Sequence, residues 1–227
     1  VGVGMVVLIL SNTIRAGQYD NIIESSVSQL AGHVVVQHPD YQKEQETDLV
    51  VNEQAALVSA LEKALPSATI TSRVRLSGIL ASSSSPTVIS LTAVNPQSED
   101  VVSDLPDKLV SGTWVLDDTK SIVIGENMSK LLQVDLGDRL VFTTSVDGEM
   151  NSHLYRLSGV FRTGAEEVDA FTGYVSLSSV ADILGQENIS NQVAVHLDSA
   201  AKTSTALTTV QRVVADTTSQ ELSVQPW

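Results

Sequence analysis

The sequence predicts an α+β fold in which one β-α-β unit is assembled from both ends of the chain around a β-rich insertion, with a helix in front. Three observations carry that reading. Residues 53–65 and 203–215 have helical apolar spacing, and each is flanked by stretches with the two-residue alternation of strands. Residues 94–188 hold short strands, turn signals and only small helices. Residues 1–32 open on a ten-residue apolar run that passes into an amphipathic segment. The predicted division is 1–32, a helical stalk; 33–93, the first part of the discontinuous unit; 94–188, the insertion; and 189–227, the second part.

The opening run, residues 1–10, would rise about 15 Å as a helix, half of a bilayer core of about 30 Å. It lacks the basic flank and cleavage pattern of a signal peptide. Two readings stand: a buried N-terminal helix, or the outer end of a transmembrane helix over 1–14 with Arg15 reaching the interface. The second is favoured here, and the missing initiator Met fits a piece of a longer membrane protein. Tyr19, Ile22, Ile23, Val27 and Leu30 then continue one apolar face as a stalk.

A strand over 33–38 leads into a polar loop, 39–48. Asn52 is placed to cap a helix whose Leu57, Val58, Leu61, Ala64 and Leu65 share a face, and Pro66 ends it. From residue 70 the period becomes two. Ile70, Val74, Leu76 and Leu80 alternate with Thr71, Arg73, Arg75 and Ser77, the pattern of a strand with one wet face. Residues 82–86 turn it back into a strand over 87–94. Asn95-Pro96, Leu105-Pro106 and Ser111-Gly112 read as turns around a short segment, 101–110.

Next come a strand over 121–124 and a helix over 125–132 with Met128, Leu131 and Leu132 inward. Strands over 140–146 and 154–161 are joined at Asp147-Gly148, a type I′ turn pair. Residues 163–169 form a loop or one helical turn before a strand over 173–177. Ser178 or Ser179 caps a helix with Val180, Ile183 and Leu184 inward, closed by Gly185. Val193, Val195 and Leu197 alternate with a wet face of Gln192, Ala194 and His196. The helix over 203–215 has Leu207, Val210, Val213 and Val214 on one stripe, and Leu222 and Val224 mark a last strand.

Composition narrows the function. With no cysteine among 227 residues, disulfides, thiolate zinc sites and thiol nucleophiles are excluded. The net charge of −14 argues against nucleic acid and anionic headgroups as ligands. Residues 94–188 carry 16 acidic and six basic side chains, either a solvated surface or a face that steers a basic partner. His33, His38, His153 and His196 are too scattered to converge on a metal. Val1-Gly2-Val3-Gly4 lacks a dinucleotide loop's third glycine, and the serines at 82–85 lack a base or a strained elbow. Asp117-Asp118 and Glu166-Glu167 read as solvated loop carboxylates, and the sequons at Asn127 and Asn188 arise by chance in a chain this long. No catalytic, cofactor-binding or metal residue is predicted. Trp227 would sit well at the headgroup level of a membrane.

Several stretches resemble the extracytoplasmic domain of ABC-transporter permeases of the MacB, FtsX and LolC/LolE type. SIVIGENMSKLLQVDLGDRL, residues 121–140, is similar to that family's strand, glycine, short helix and L-G-D segment. LSGVFRTG from residue 157, with EVD at 167–169 and YVSL at 174–177, resembles its V-x-G-[IV]-F segment with the aspartate and V-x-[LI] positions beyond it. The apolar opening followed by GHVVVQ, residues 32–37, and a nearby tyrosine resembles the LolE-like branch, and VQPW at 224–227 looks like the approach to a second membrane helix.

The resemblance covers nearly the whole chain. It implies a porter-like subdomain from 33–93 and 189–227, an inserted Sabre-like subdomain at 94–188, and the N-terminal stalk helix. It also implies a bacterial inner-membrane permease whose periplasmic domain moves or releases a lipoprotein, lipid or exported small molecule or peptide, without catalysis. The partners implied are a cytoplasmic ABC ATPase, a second permease subunit, flanking transmembrane helices, and a periplasmic carrier or adaptor. No G-x-x-x-x-G-K-[ST] stands in this chain, so ATP would be hydrolysed elsewhere. The hairpin over 142–155 departs from the carrier-recruiting members, since it is short and lacks proline. The rival from another class is a free-standing soluble binding or adhesion module.

Overall fold

A computed structural model describes residues 32–44, 49–114, 119–146, 148–185, 188, 190–199 and 202–226. The stalk and membrane-end expectations for residues 1–31, with Asp117-Asp118, Asp147 and Trp227, lie outside the described residues.

Strand β1 (Val34–Gln37) is followed by a single helical turn, α1 (Tyr41–Glu44), and by α2 (Gln54–Ala64). Leu57 and Leu61 are the buried residues of α2, one turn apart as the helical period requires. The cap expected from Asn52 does not form. Glu53 occupies the cap position at φ 54° without a side-chain bond, and the Asn52 N–H donates to Gln220 Oε1 at 2.9 Å instead.

Strand β2 (Thr69–Ala81) runs for 13 residues, then turns at 82–85 into β3 (Pro86–Val94). The serines of that turn are structural: Ser82 Oγ accepts from the Ser84 and Ser85 N–H groups and donates to the Leu132 carbonyl at 2.8 Å. The wet face expected for β2 holds at Arg75 and Ser77, which are exposed, and is corrected in the first half of the strand. Thr71 and Arg73 are buried, because the first half of the strand is covered on both sides.

One of the covering elements is α3 (Pro96–Val102), where a turn was expected. Asn95 Oδ1 accepts from the Gln97 N–H at 3.0 Å, and Pro96 takes the first helical position, where its missing N–H is no loss. A 3₁₀ turn (Pro106–Lys108) and β4 (Leu109–Gly112) come after it.

Strand β5 (Ser121–Gly125) feeds α4 (Glu126–Leu132), whose Met128 and Leu132 point inward; Leu131, expected there, is 55% exposed. Strands β6 (Arg139–Val146) and β7 (Glu149–Phe161) pair Val146 with Glu149, which leaves a two-residue connection with Gly148 at φ 80°. Next are α5 (Glu166–Phe171), β8 (Thr172–Ser176) and α6 (Leu177–Leu184). Ser176, not Ser178 or Ser179, caps α6 by accepting from the Ser179 N–H. Strand β9 (Gln192–His196), helix α7 (Thr203–Thr217) and β10 (Ser223–Pro226) complete the chain. β9 was expected to have a wet face, yet Gln192 and Ala194 are buried, because β9 lies inside the sheet between β1 and β2.

The ten strands of the described residues belong to one sheet with the path β10-β1-β9-β2-β3-β8-β5-β7-β4, and β6 joins β2 to β7. The run β2-β3-β8-β5-β7-β6 therefore closes on itself. Inside this ring, Leu76, Leu80, Leu91, Ile122, Phe142 and Tyr155 pack with Met128 and Leu132 of α4 and Val180 of α6. A second core lies where α2 and α7 cover β1, β9 and the start of β2, around Val34, Leu57, Leu61, Val195 and Val210. A smaller third core gathers Val94, Leu105, Phe161 and Tyr174. Each fully buried aliphatic or aromatic side chain stabilises the fold by about 1.5–3 kcal/mol.

Candidate functional site at the fork of a shared strand

β2 is long enough to serve both large cores, and its neighbours change along it. Thr69 to Arg73 pair with β9, whereas Ile79 to Ala81 pair with β6. Arg73 to Ala81 are meanwhile occupied by β3 on the opposite edge. β9 and β6 thus share one edge of β2 and leave a gap between them.

Asn191 fills that gap. Its Oδ1 accepts from the Arg75 N–H and its Nδ2 donates to the Arg75 carbonyl, both at 2.9 Å, so an amide side chain replaces a missing strand partner. The Asn191 backbone N–H donates to the Arg73 carbonyl at 3.2 Å. On the ring side, the Thr144 hydroxyl donates to the Ser77 carbonyl at 2.8 Å.

One rung from the gap, Arg73 reaches across to α3. Its Nε and Nη2 donate to Glu99 Oε2 and Oε1 at 3.1 and 2.8 Å, with both side chains at 3% exposure or less. Burial pushes the Glu99 carboxyl above its usual range against the pull of Arg73. Tyr174 is raised by burial and by Glu99. Its ring packs against Trp114 and Phe161 at centroid distances of 5.5 and 5.7 Å, joining the fork to the third core.

The four histidines do not converge. His196 shares a hydrogen bond with the Thr71 hydroxyl at 3.2 Å, and burial, Arg73 and His33 hold it down at about 3, so it is neutral. His33 Nδ1 accepts from the Leu197 N–H, His38 lies beside Asp40, and His153 stacks on Tyr155 in the hairpin. Among the described residues no group of three or more His, Asp or Glu is placed to hold a metal.

The acidic loop at 163–169 is organised by Asp169, the aspartate of the EVD stretch. Asp169 accepts from the Thr163 N–H and hydroxyl, both at 2.8 Å, and so closes the loop before α5. Glu126 accepts two bonds from Arg162 and lies 3.1 Å from Lys130, and these partners hold its carboxyl down at about 2. An open groove of about 590 Å³ runs beside this cluster, and of its charged lining Glu126, Lys130 and Arg162 are already paired to one another.

Arg73, Glu99 and Asn191 are the residues that sequence reasoning missed. The Asn-Pro pair at 95–96 does signal a helix start, and so places Glu99 in a first turn. Nothing local indicates that its partner is Arg73.

No family profile matches the chain, and no curated protein sequence matches it. Solved structures do. The chain is similar to the extracellular domain of the noncanonic ABC-type transporter YknZ from Gram-positive bacteria, at 16% identity and a TM-score of 0.62, over 86% of this chain and 98% of that one. It is also similar to the periplasmic region of MacB from Actinobacillus actinomycetemcomitans, at 16% identity and a TM-score of 0.61, over 91% of this chain and 94% of that one. At such identities the likeness is one of fold.

Proposed function

We propose that this chain is the non-catalytic extracytoplasmic domain of an ABC-transporter permease, on the periplasmic side of a bacterial inner membrane. It relays ATP-driven motion that moves or releases cargo: a lipoprotein, a lipid, or an exported small molecule or peptide. The observation that carries this reading is the shared fold over nearly the full length of two solved transporter domains. The fold adds support of its own, since Val34 pairs directly with Pro226. Both ends of the described body therefore leave one sheet edge side by side, as two connections to one membrane scaffold require.

In this reading residues 33–93 and 189–227 are the porter-like part and 94–188 the Sabre-like insertion, with β2 as the beam common to both. ATP is hydrolysed by a cytoplasmic ATPase. A second permease subunit completes the transporter, and the short, proline-free hairpin over 142–155 argues against recruiting a periplasmic carrier through a hook. The motion is a rigid-body rotation relayed through the stalk, because a strand hydrogen-bonded into two cores does not bend freely at the join.

The test is made in the complete permease, reconstituted with its ATPase. Replacing residues 33–226 by a short flexible linker is expected to leave ATP hydrolysis and abolish cargo movement. Cargo movement that survives the replacement overturns the reading, as does an open reading frame without apolar spans of about 20 residues on both sides of this segment.

A further inference from the structure

The outer wall of the ring is bare on the side away from the third core. Val88 and Ile79 stand directly across from each other on β3 and β2, at 63% and 47% exposure. Val141 and Leu154 face each other on β6 and β7, at 39% and 48%. Ala81 pairs with Val141, so the two couples adjoin as one apolar strip. The next outward rung is Arg139 opposite Arg156. Like charges directly opposed on a sheet destabilise it. Neither guanidinium has a carboxylate partner among the described residues, although the chain has 27 acidic side chains against 13 basic.

We infer that this strip is the docking surface for a protein partner that presents apolar side chains next to carboxylates, the carboxylates neutralising Arg139 and Arg156. An apolar centre bordered by arginine is the composition of protein interfaces. An anionic bilayer opposes its whole surface charge to the chain's net −14 and a second copy brings that charge again, whereas a protein partner needs carboxylates only where they meet Arg139 and Arg156. The strip also lies toward the far end of β2 from the edge where Val34 meets Pro226. β2 itself is about 40 Å long at roughly 3.3 Å per residue. The inference takes its extracytoplasmic setting from the proposed function, but the surface itself is tested without any transport assay.

The 227-residue chain is titrated at micromolar concentration with two labelled octapeptides, one alternating leucine with glutamate and one alternating leucine with lysine, and anisotropy is read. The glutamate peptide is expected to bind at least ten-fold more tightly. Arg139→Glu with Arg156→Glu should reverse that preference, and Ile79→Ser with Val88→Ser should weaken binding at least ten-fold. All four positions are exposed, so an unchanged melting temperature establishes that the variants are folded. Equal binding of the two peptides overturns the inference. So does binding to phosphatidylglycerol vesicles, or self-association in sedimentation, that the same substitutions abolish. Failure here leaves the transporter reading standing, and failure of the linker replacement leaves this surface standing.

Discussion

At Arg73 and Glu99 two charges are held almost out of water, an arrangement that tolerates the loss of both partners better than the loss of one. Glu99→Ala is expected to destabilise the fold by about 3–5 kcal/mol in urea unfolding, because it strands a buried guanidinium. The double change Arg73→Leu with Glu99→Leu should be milder than Glu99→Ala. His196 makes a separate prediction through pH. Its folded pKa is depressed, so on acidification the unfolded chain takes up the proton first, and the stability that the neutral ring contributes is complete above about 6.5 and is lost as pH falls toward about 3. The urea midpoint should therefore drop between pH 7 and 4, and less so in His196→Gln. Glu126 acts in a lower window. Its folded pKa is also depressed, so its contribution is present above its ordinary value of 4.5 and fades as pH falls toward about 2.

The elements divide into those whose instructions are local and those whose surroundings decide them. α3 is local: Asn95→Ala removes its cap and should cost about 1 kcal/mol, measurable as a lowered urea midpoint. α2 shows the opposite. A good capping residue, Asn52, stands one position before the cap and bonds elsewhere, because Gln220 also donates to the Val50 carbonyl at 2.8 Å and ties that backbone to the other end of the chain. Gly125 joins β5 to α4 beneath the backbone of Asp169, and an added Cβ would collide with the Asp169 carbonyl. Gly125→Ala is expected to destabilise by about 1–3 kcal/mol by forcing α5 off β5, seen as faster hydrogen exchange over 163–171. β7 is longer than its alternation indicates for a related reason. Residues 149–153 are polar except for Met150, and their strand character comes from pairing with β6 rather than from their own pattern.

For the whole molecule the consequence is stiffness. β2 passes through both large cores without a break, and Asn191 and the Arg73–Glu99 pair close the place where its neighbours change. Spin labels at Ser84→Cys and Gln211→Cys, one at the end of the ring and one on α7, should keep their separation when the complete permease binds and hydrolyses ATP. These 227 residues contain no cysteine, so within this domain the two introduced thiols are the sites labelled. A change of a helical turn, about 5 Å, would mean that the cores move independently and the lever is jointed.

What the sequence determined by itself is the set of segments that carry their own period: α2 and α7, the β2–β3 hairpin, and the short strands and helices between them. It determined these because apolar spacing and turn residues act within a few positions of themselves. Tertiary structure alone decided that β9 and the first half of β2 are buried on both faces, that the inserted strands close into a ring, and that Arg73 meets Glu99 26 residues away. Those outcomes depend on which segments cover one another. A strand's own alternation reports one dry face and cannot announce what will pack on the other.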